Sequence, residues 1–192
     1  VSISLYSQSL AAFPAQRAKA LNAACGVDAV YALVWPEYEP PIEPLPARNR
    51  AEFKTWRTNA GVPLWAWVNC HEDQEADVAR IRELDASLAP NGYLLDIEGQ
   101  WTKGASLKTL ITGVTDLGKP VRASLAASTS SHVEYDYRTL DLQGVDIEWQ
   151  CYFDSGEGPL PSVAVRELHR ASFVIPGWLY RHRWNKTYGW GR

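Results

Sequence analysis

Strand-like and helix-like runs take turns along this chain, and that alternation constrains its fold more tightly than any single residue. A strand reading over 3–7 (Ile-Ser-Leu-Tyr-Ser) is followed by an Ala-rich stretch opened by Pro14 and stopped by Gly26, the placement of proline and glycine that helix ends favour. The unit recurs as strand 29–35 with helix 47–59, stopped by Gly61; strand 63–69 with a charged helix capped near Asp73 and running to residue 88; and strand 93–98 with helix 106–117. Strands over 120–126 and 145–152, a helix over 161–171 and a strand over 173–178 that carries Pro176 complete the pattern. Such alternation demands right-handed crossovers and a mainly parallel sheet. Strands of this kind and number predict an α/β fold, a (β/α)8 TIM-barrel-like domain whose last unit is incomplete or irregular. An open, doubly wound sheet is the alternative, but the turn after the first strand reads Tyr6-Ser7-Gln8-Ser9-Leu10, without the glycines that a dinucleotide needs there.

With 192 residues there is room for one well-buried core and not for two, so a single domain over 1–192 is expected. The chain opens on Val1 and contains no Met, which reads as a processed chain or a segment of a larger protein. Acidic and basic residues are interspersed and the formal net charge is -3, so no broad positive face is offered to a phosphate backbone and no nucleic-acid partner is expected. No apolar run is long enough to cross a bilayer, so a soluble protein without membrane insertion is expected. Cys25, Cys70 and Cys151 lack C-x-x-C spacing, and His71, His132, His169 and His182 are equally dispersed. The cysteines read as small buried residues, and neither a metal nor a cofactor is implied.

The residues with most chemical content are Asp96 and Glu98. Two apart on a strand, they leave the same face with α-carbons roughly 6.5 Å apart, at the carboxyl end where barrels build their sites. Burial and mutual repulsion drive the protonation of two such carboxyls apart, so one serves as a general acid while the other stays charged. That is what glycoside hydrolysis needs. The plainer alternative pairs Asp96 with Arg122 on the next strand and leaves Glu98 to cap a loop.

Strand 145–152 offers Glu148, Gln150 and Tyr152 on one face, with Glu148 the deepest. Asp154 follows in what reads as a loop. Trp35, Trp65, Trp67, Trp101 and Trp178 stand at or near predicted strand ends, where rings stack on sugars; Trp101, just after the carboxylate strand, is the first choice. Tyr6 and Asn69, at the ends of strands one and three, are placed to orient a hydroxyl or an acetamido group. The Pro-rich loop 36–46 reads as a lid or rim.

On these residues the chain resembles barrel glycoside hydrolases with an Asp-x-Glu strand. Leu94-Leu95-Asp96-Ile97-Glu98 is similar to that strand in the N-acetylmuramidase lysozymes of bacteria and phages and, more distantly, in chitinases, and Glu148-Trp149-Gln150-Cys151-Tyr152 is similar to a later lysozyme strand. The resemblance implies that Glu98 protonates the glycosidic oxygen and that Asp96 stabilises the acetamido group or the positive transition state, with polysaccharide or peptidoglycan as the partner. The lysozymes carry an acid at the end of strand one, where this chain has Ser4, Tyr6 and Gln8. That departure favours the rival expectation, a non-catalytic carbohydrate-binding or structural module, for instance a minor tail protein of a phage or part of a secreted assembly, in contact with other chains. Either way an extracellular or virion-associated setting is favoured.

Overall fold

The computed structural model describes residues 4–7, 10, 13–35, 47–97, 106–126, 136–151 and 173–176, with backbone alone at 35, 47–50, 126, 137, 138, 141, 149–151 and 173–176. Along the chain stand β1 (Ser4–Ser7), α1 (Ala15–Cys25), β2 (Ala29–Trp35), α2 (Ala47–Ala60), β3 (Leu64–Asn69), α3 (Gln74–Leu88), β4 (Tyr93–Ile97), α4 (Lys108–Thr115), β5 (Val121–Ala126), α5 (Tyr137–Leu142), β6 (Asp146–Cys151) and β7 (Phe173–Pro176). The strands form one 7-stranded sheet in chain order, and each neighbouring pair is parallel.

Local chemistry explains the boundaries. The Asp73 carboxylate accepts from the Ala76 N–H at 3.1 Å, and Glu75 and Asp77 sit in the first turn of α3, where the helix dipole favours negative charge. The Pro176 ring ends β7, its register partner being Cys151, a place where the missing N–H costs little. Helix α5 was not expected, because six residues carry too little periodicity to announce a helix. Asp136 starts it, accepting from the Thr139 N–H at 3.1 Å and from the Thr139 hydroxyl at 2.6 Å.

Period-two alternation splits each strand between two environments. One face (Val30, Ala32, Leu64, Ala66, Leu95, Ala123) packs under the helices in the main core, against residues such as Ile81, Leu84 and Ile111. The other gathers Ala29, Tyr31, Trp65 and Leu94, with Tyr6 and Trp67 against them, in a second cluster. The sheet is strongly curled, since the Tyr6 hydroxyl on β1 reaches the Glu148 carboxylate on β6. In a flat sheet, strands five places apart would stand roughly 24 Å from each other. The result is the TIM-barrel-like α/β architecture, with the second cluster as its interior.

Cys70 is buried as expected, but Cys25 is exposed: it is the last residue of α1, and its thiol donates to the Leu21 carbonyl at 3.0 Å. Strand β4 is described from Tyr93 to Ile97, and Glu98, the last residue of the expected strand, lies outside the described residues. The loop 36–46, the helix expected over 161–171 and Asp154 lie outside the described residues. Among the described residues no helix is long and apolar enough to cross a membrane.

Candidate active site

Strand register brings one polar row together. Asn69, Asp96, Ser124 and Glu148 are successive partners across β3, β4, β5 and β6, and their exposures are 6, 5, 1 and 1%. The other buried polar or charged residues among those described are Ser7 and Asp77, so burial of polarity is concentrated on this row. Asn69 is the last residue of β3 and Asp96 the last but one of β4, which sets them toward the carboxyl ends of the strands.

Glu148 is the most heavily partnered member. Its Oε2 accepts from the Tyr6 hydroxyl, and its Oε1 accepts from the Tyr31 hydroxyl and from Arg122 Nη1, the last at 3.3 Å. The same Arg122 nitrogen donates to the Tyr31 oxygen. The guanidinium lies 4.8 Å over the Trp65 ring and its Nε is 4.0 Å from the Asp146 carboxylate. Burial pushes the Glu148 carboxyl above its ordinary value, against the pull of both tyrosines and Arg122. Burial, followed by the charge of Glu148, holds the protons of Tyr6 and Tyr31 more firmly than usual.

Asp96 has a different setting. Its Oδ2 accepts from the Trp67 indole N–H at 2.8 Å. An indole only donates, so Asp96 accepts here and the contact orients its carboxyl group. The Tyr6 ring meets Trp67 edge-on, centroids 5.4 Å apart at 90°, and packs 4.9 Å from Tyr31. Tyr6 and Trp67 are both partly exposed, so the row carries a partly open aromatic wall. The loop after β3 is tied down by Asp77, which accepts from the His71 backbone N–H and lies 3.4 Å from its Nδ1 and 3.7 Å from Arg80. Burial pushes the Asp77 carboxyl up. Among the described residues no group of three or more His, Cys, Asp or Glu is disposed to hold a metal.

Of the residues singled out by sequence, the structure brings Tyr6, Asn69, Asp96 and Glu148 to the same interior. Gln150 follows two residues after Glu148 in β6, its register partners Ala126 and Ile175, and Trp35 ends β2 with its backbone paired to Val68. Glu98, Trp101 and Tyr152 lie outside the described residues. Arg122 takes a different place from the one weighed for it. Its register partner is Leu94, two residues before Asp96, and its ion pairs run to Glu148 and Asp146. Sequence reasoning passed over Tyr31 and Ser124 altogether. The alternation Val121-Arg122-Ala123-Ser124-Leu125 was the signal for Ser124, whereas Tyr31 stands in a uniformly apolar run.

Fold and site together define a TIM-barrel-like α/β protein with a buried polar row and an aromatic wall inside its curled sheet. Two solved structures are similar to it in shape. One is a phospho-2-dehydro-3-deoxyheptonate aldolase (DAHP synthase) from Thermotoga maritima, 10% identical with a TM-score of 0.42, the match covering 92% of this chain and 59% of that one. The other is an HpcH/HpaI aldolase from Desulfitobacterium hafniense DCB-2, 12% identical with a TM-score of 0.46, covering 96% of this chain and 89% of that one. This chain therefore spans 59% of the length of the DAHP synthase. Both are named as aldolases rather than glycosidases, and similarity at this identity leaves the chemistry open. No family model and no curated protein matches the sequence.

Proposed function

We propose that this chain is a glycoside hydrolase-like domain acting on a cell-wall or related polysaccharide, with Glu98 as general acid and Asp96 as its partner. The observation that supports this reading is the setting of Asp96: buried near the carboxyl end of β4, oriented by the Trp67 indole and flanked by partly exposed rings. A fixed anion beside aromatic surfaces suits a sugar that gains positive charge in its transition state. In this scheme Glu98, two residues further on, donates its proton to the glycosidic oxygen as the bond to the anomeric carbon breaks. Asn69 and Tyr6 orient the ring bearing the acetamido group. Trp35, Trp101, Glu148, Gln150 and Tyr152 supply further contacts in this scheme.

The second reading is binding without cleavage, in an assembly with other chains. It is favoured by β1, whose inward residue Tyr6 presents a phenol bonded to Glu148 where the lysozymes place an acid. Release of reducing ends from purified cell walls and from chitin oligosaccharides separates the two. The expected result is turnover by the native chain and a loss of about 100-fold or more in Glu98→Gln, the usual scale of a general acid. Full activity in Glu98→Gln removes that residue from the mechanism. Wall binding without release by the native chain establishes the module instead.

A further inference from the structure

Helices α3 and α4 follow consecutive parallel strands, so they run in the same direction on the outside of the sheet. Gln74 pins their starts level: its Nε2 donates to the Ser106 carbonyl at 2.7 Å and its Oε1 accepts from the Leu110 N–H at 2.9 Å. Between the two helices lies a groove of about 600 Å³, with the small residues Ala79 and Gly113 in its lining. Four exposed charges stand along it, Glu75 and then Arg82 on α3, and Lys108 and then Asp116 at the two ends of α4. Among the described residues none of these four side chains has a hydrogen-bond or ion-pair partner. From the rise per residue, acid and base are roughly 10–12 Å apart along each helix. The corners of the groove therefore alternate in sign, acid beside base at the helix starts and base beside acid two turns on.

We propose that this groove is the contact face of a homodimer, its occupant being the same groove of a second copy. An isologous contact needs a surface complementary to itself, related by a two-fold axis lying in the plane of the contact. Rotation about an axis along the helices lays Glu75 over the second copy's Lys108, and Arg82 over its Asp116. Rotation about an axis across the helices lays Glu75 over the second copy's Arg82, and Lys108 over its Asp116. In both arrangements every acid meets a base, whereas a groove rimmed by one sign would repel its copy. Ala79 and Gly113 leave room at the centre for the second copy's helices to seat ridge into groove. The inference stands apart from the saccharide reading, because the groove lies in the helical layer and the buried polar row lies inside the sheet.

The test is sedimentation velocity of the native chain and two variants. The native chain is expected to dimerise with a micromolar Kd, as befits a small contact, and to dissociate more readily as salt screens the charges. Arg82→Glu with Lys108→Glu makes all four charges acidic and is expected to raise that Kd about 100-fold or more. Adding Glu75→Lys and Asp116→Lys reverses all four and restores the alternation, so this chain is expected to dimerise with itself and not to mix with the native one. Should a variant fail to fold, zero-length carbodiimide cross-linking of the native chain decides: the dimer band is expected to yield Lys108 joined to Glu75 or to Asp116, and its absence there overturns the inference. A native chain that stays monomeric at about 1 mM also overturns it. A dimer left intact by the all-acidic variant, or mixed dimers of native and reversed chains, places the contact on another face and overturns it too.

Discussion

At the scale of single residues, the Glu148 carboxyl inside this sheet depends on its compensation by Arg122, Tyr6 and Tyr31. Removing a partner from a buried ion pair strands the other charge, so Arg122→Met is expected to cost about 3–5 kcal/mol in denaturant unfolding, and adding Glu148→Gln to it should recover much of the loss. Tyr31→Phe removes one donor from the same carboxylate and is expected to cost about 1.5–3 kcal/mol. The pH dependence follows from the direction of each shift. Glu148 titrates higher in the folded chain than its ordinary 4.5, so as pH falls through its raised value the folded state takes up a proton first. Its contribution to stability is greatest below 4.5 and is lost as pH rises through the folded value. Asp85 and Asp136 are lowered from 3.8 despite desolvation, by Lys119 and Tyr93 in one case and by Thr139, Leu107 and Ser106 in the other. Their contributions are present above 3.8 and are lost as pH falls through their lowered values. Unfolding free energies measured between pH 7 and 4.5 should therefore change less steeply in Glu148→Gln than in the native chain.

At the scale of elements, helices α3 and α4 meet so closely that a methyl group decides the contact. A Cβ added at Gly113 would come within 2.7 Å of both Val78 methyl carbons. Gly113→Ala is expected to destabilise by about 1–3 kcal/mol through overpacking, and Val78→Ala in the same chain should return part of it, a coupling that a double-mutant cycle reads directly. The Asp136 carboxylate joins two helix starts, accepting from Thr139 on α5 and from the Leu107 N–H, at 3.1 Å, before α4. Asp136→Ala is expected to cost about 1–2 kcal/mol. Most of the elements were legible because proline, glycine and an Asp cap punctuate them, as at Pro14, Gly26 and Asp73. Helix α5 was not, being too short to show a period. In the site, parity alone put Asp96 near the mouth of the barrel and Glu148 deeper on a polar face. Parity within one strand says nothing of which strand lies opposite, so the meeting of Tyr6 and Tyr31 with Glu148 could not be read before the sheet was seen to curl.

At the scale of the whole molecule, the sheet is built from neighbours in sequence, yet its interior is held by partners from opposite ends. The helices and adjacent strands are each completed within a few tens of residues, and local pairing of this kind forms early. The bond between Tyr6 and Glu148 spans 142 residues, and that between Tyr31 and Glu148 spans 117. During synthesis the first strand is made long before the carboxylate that receives its hydroxyl, so β1 waits with its inner face unpaired while the outer core is already assembling. Closure of such a distant loop is expected to be the slow step of folding. Hydrogen-exchange pulses during refolding should accordingly find the amides of β3 and β4 protected before those of β1, with the last protection arriving as the two ends of the sheet meet across Glu148.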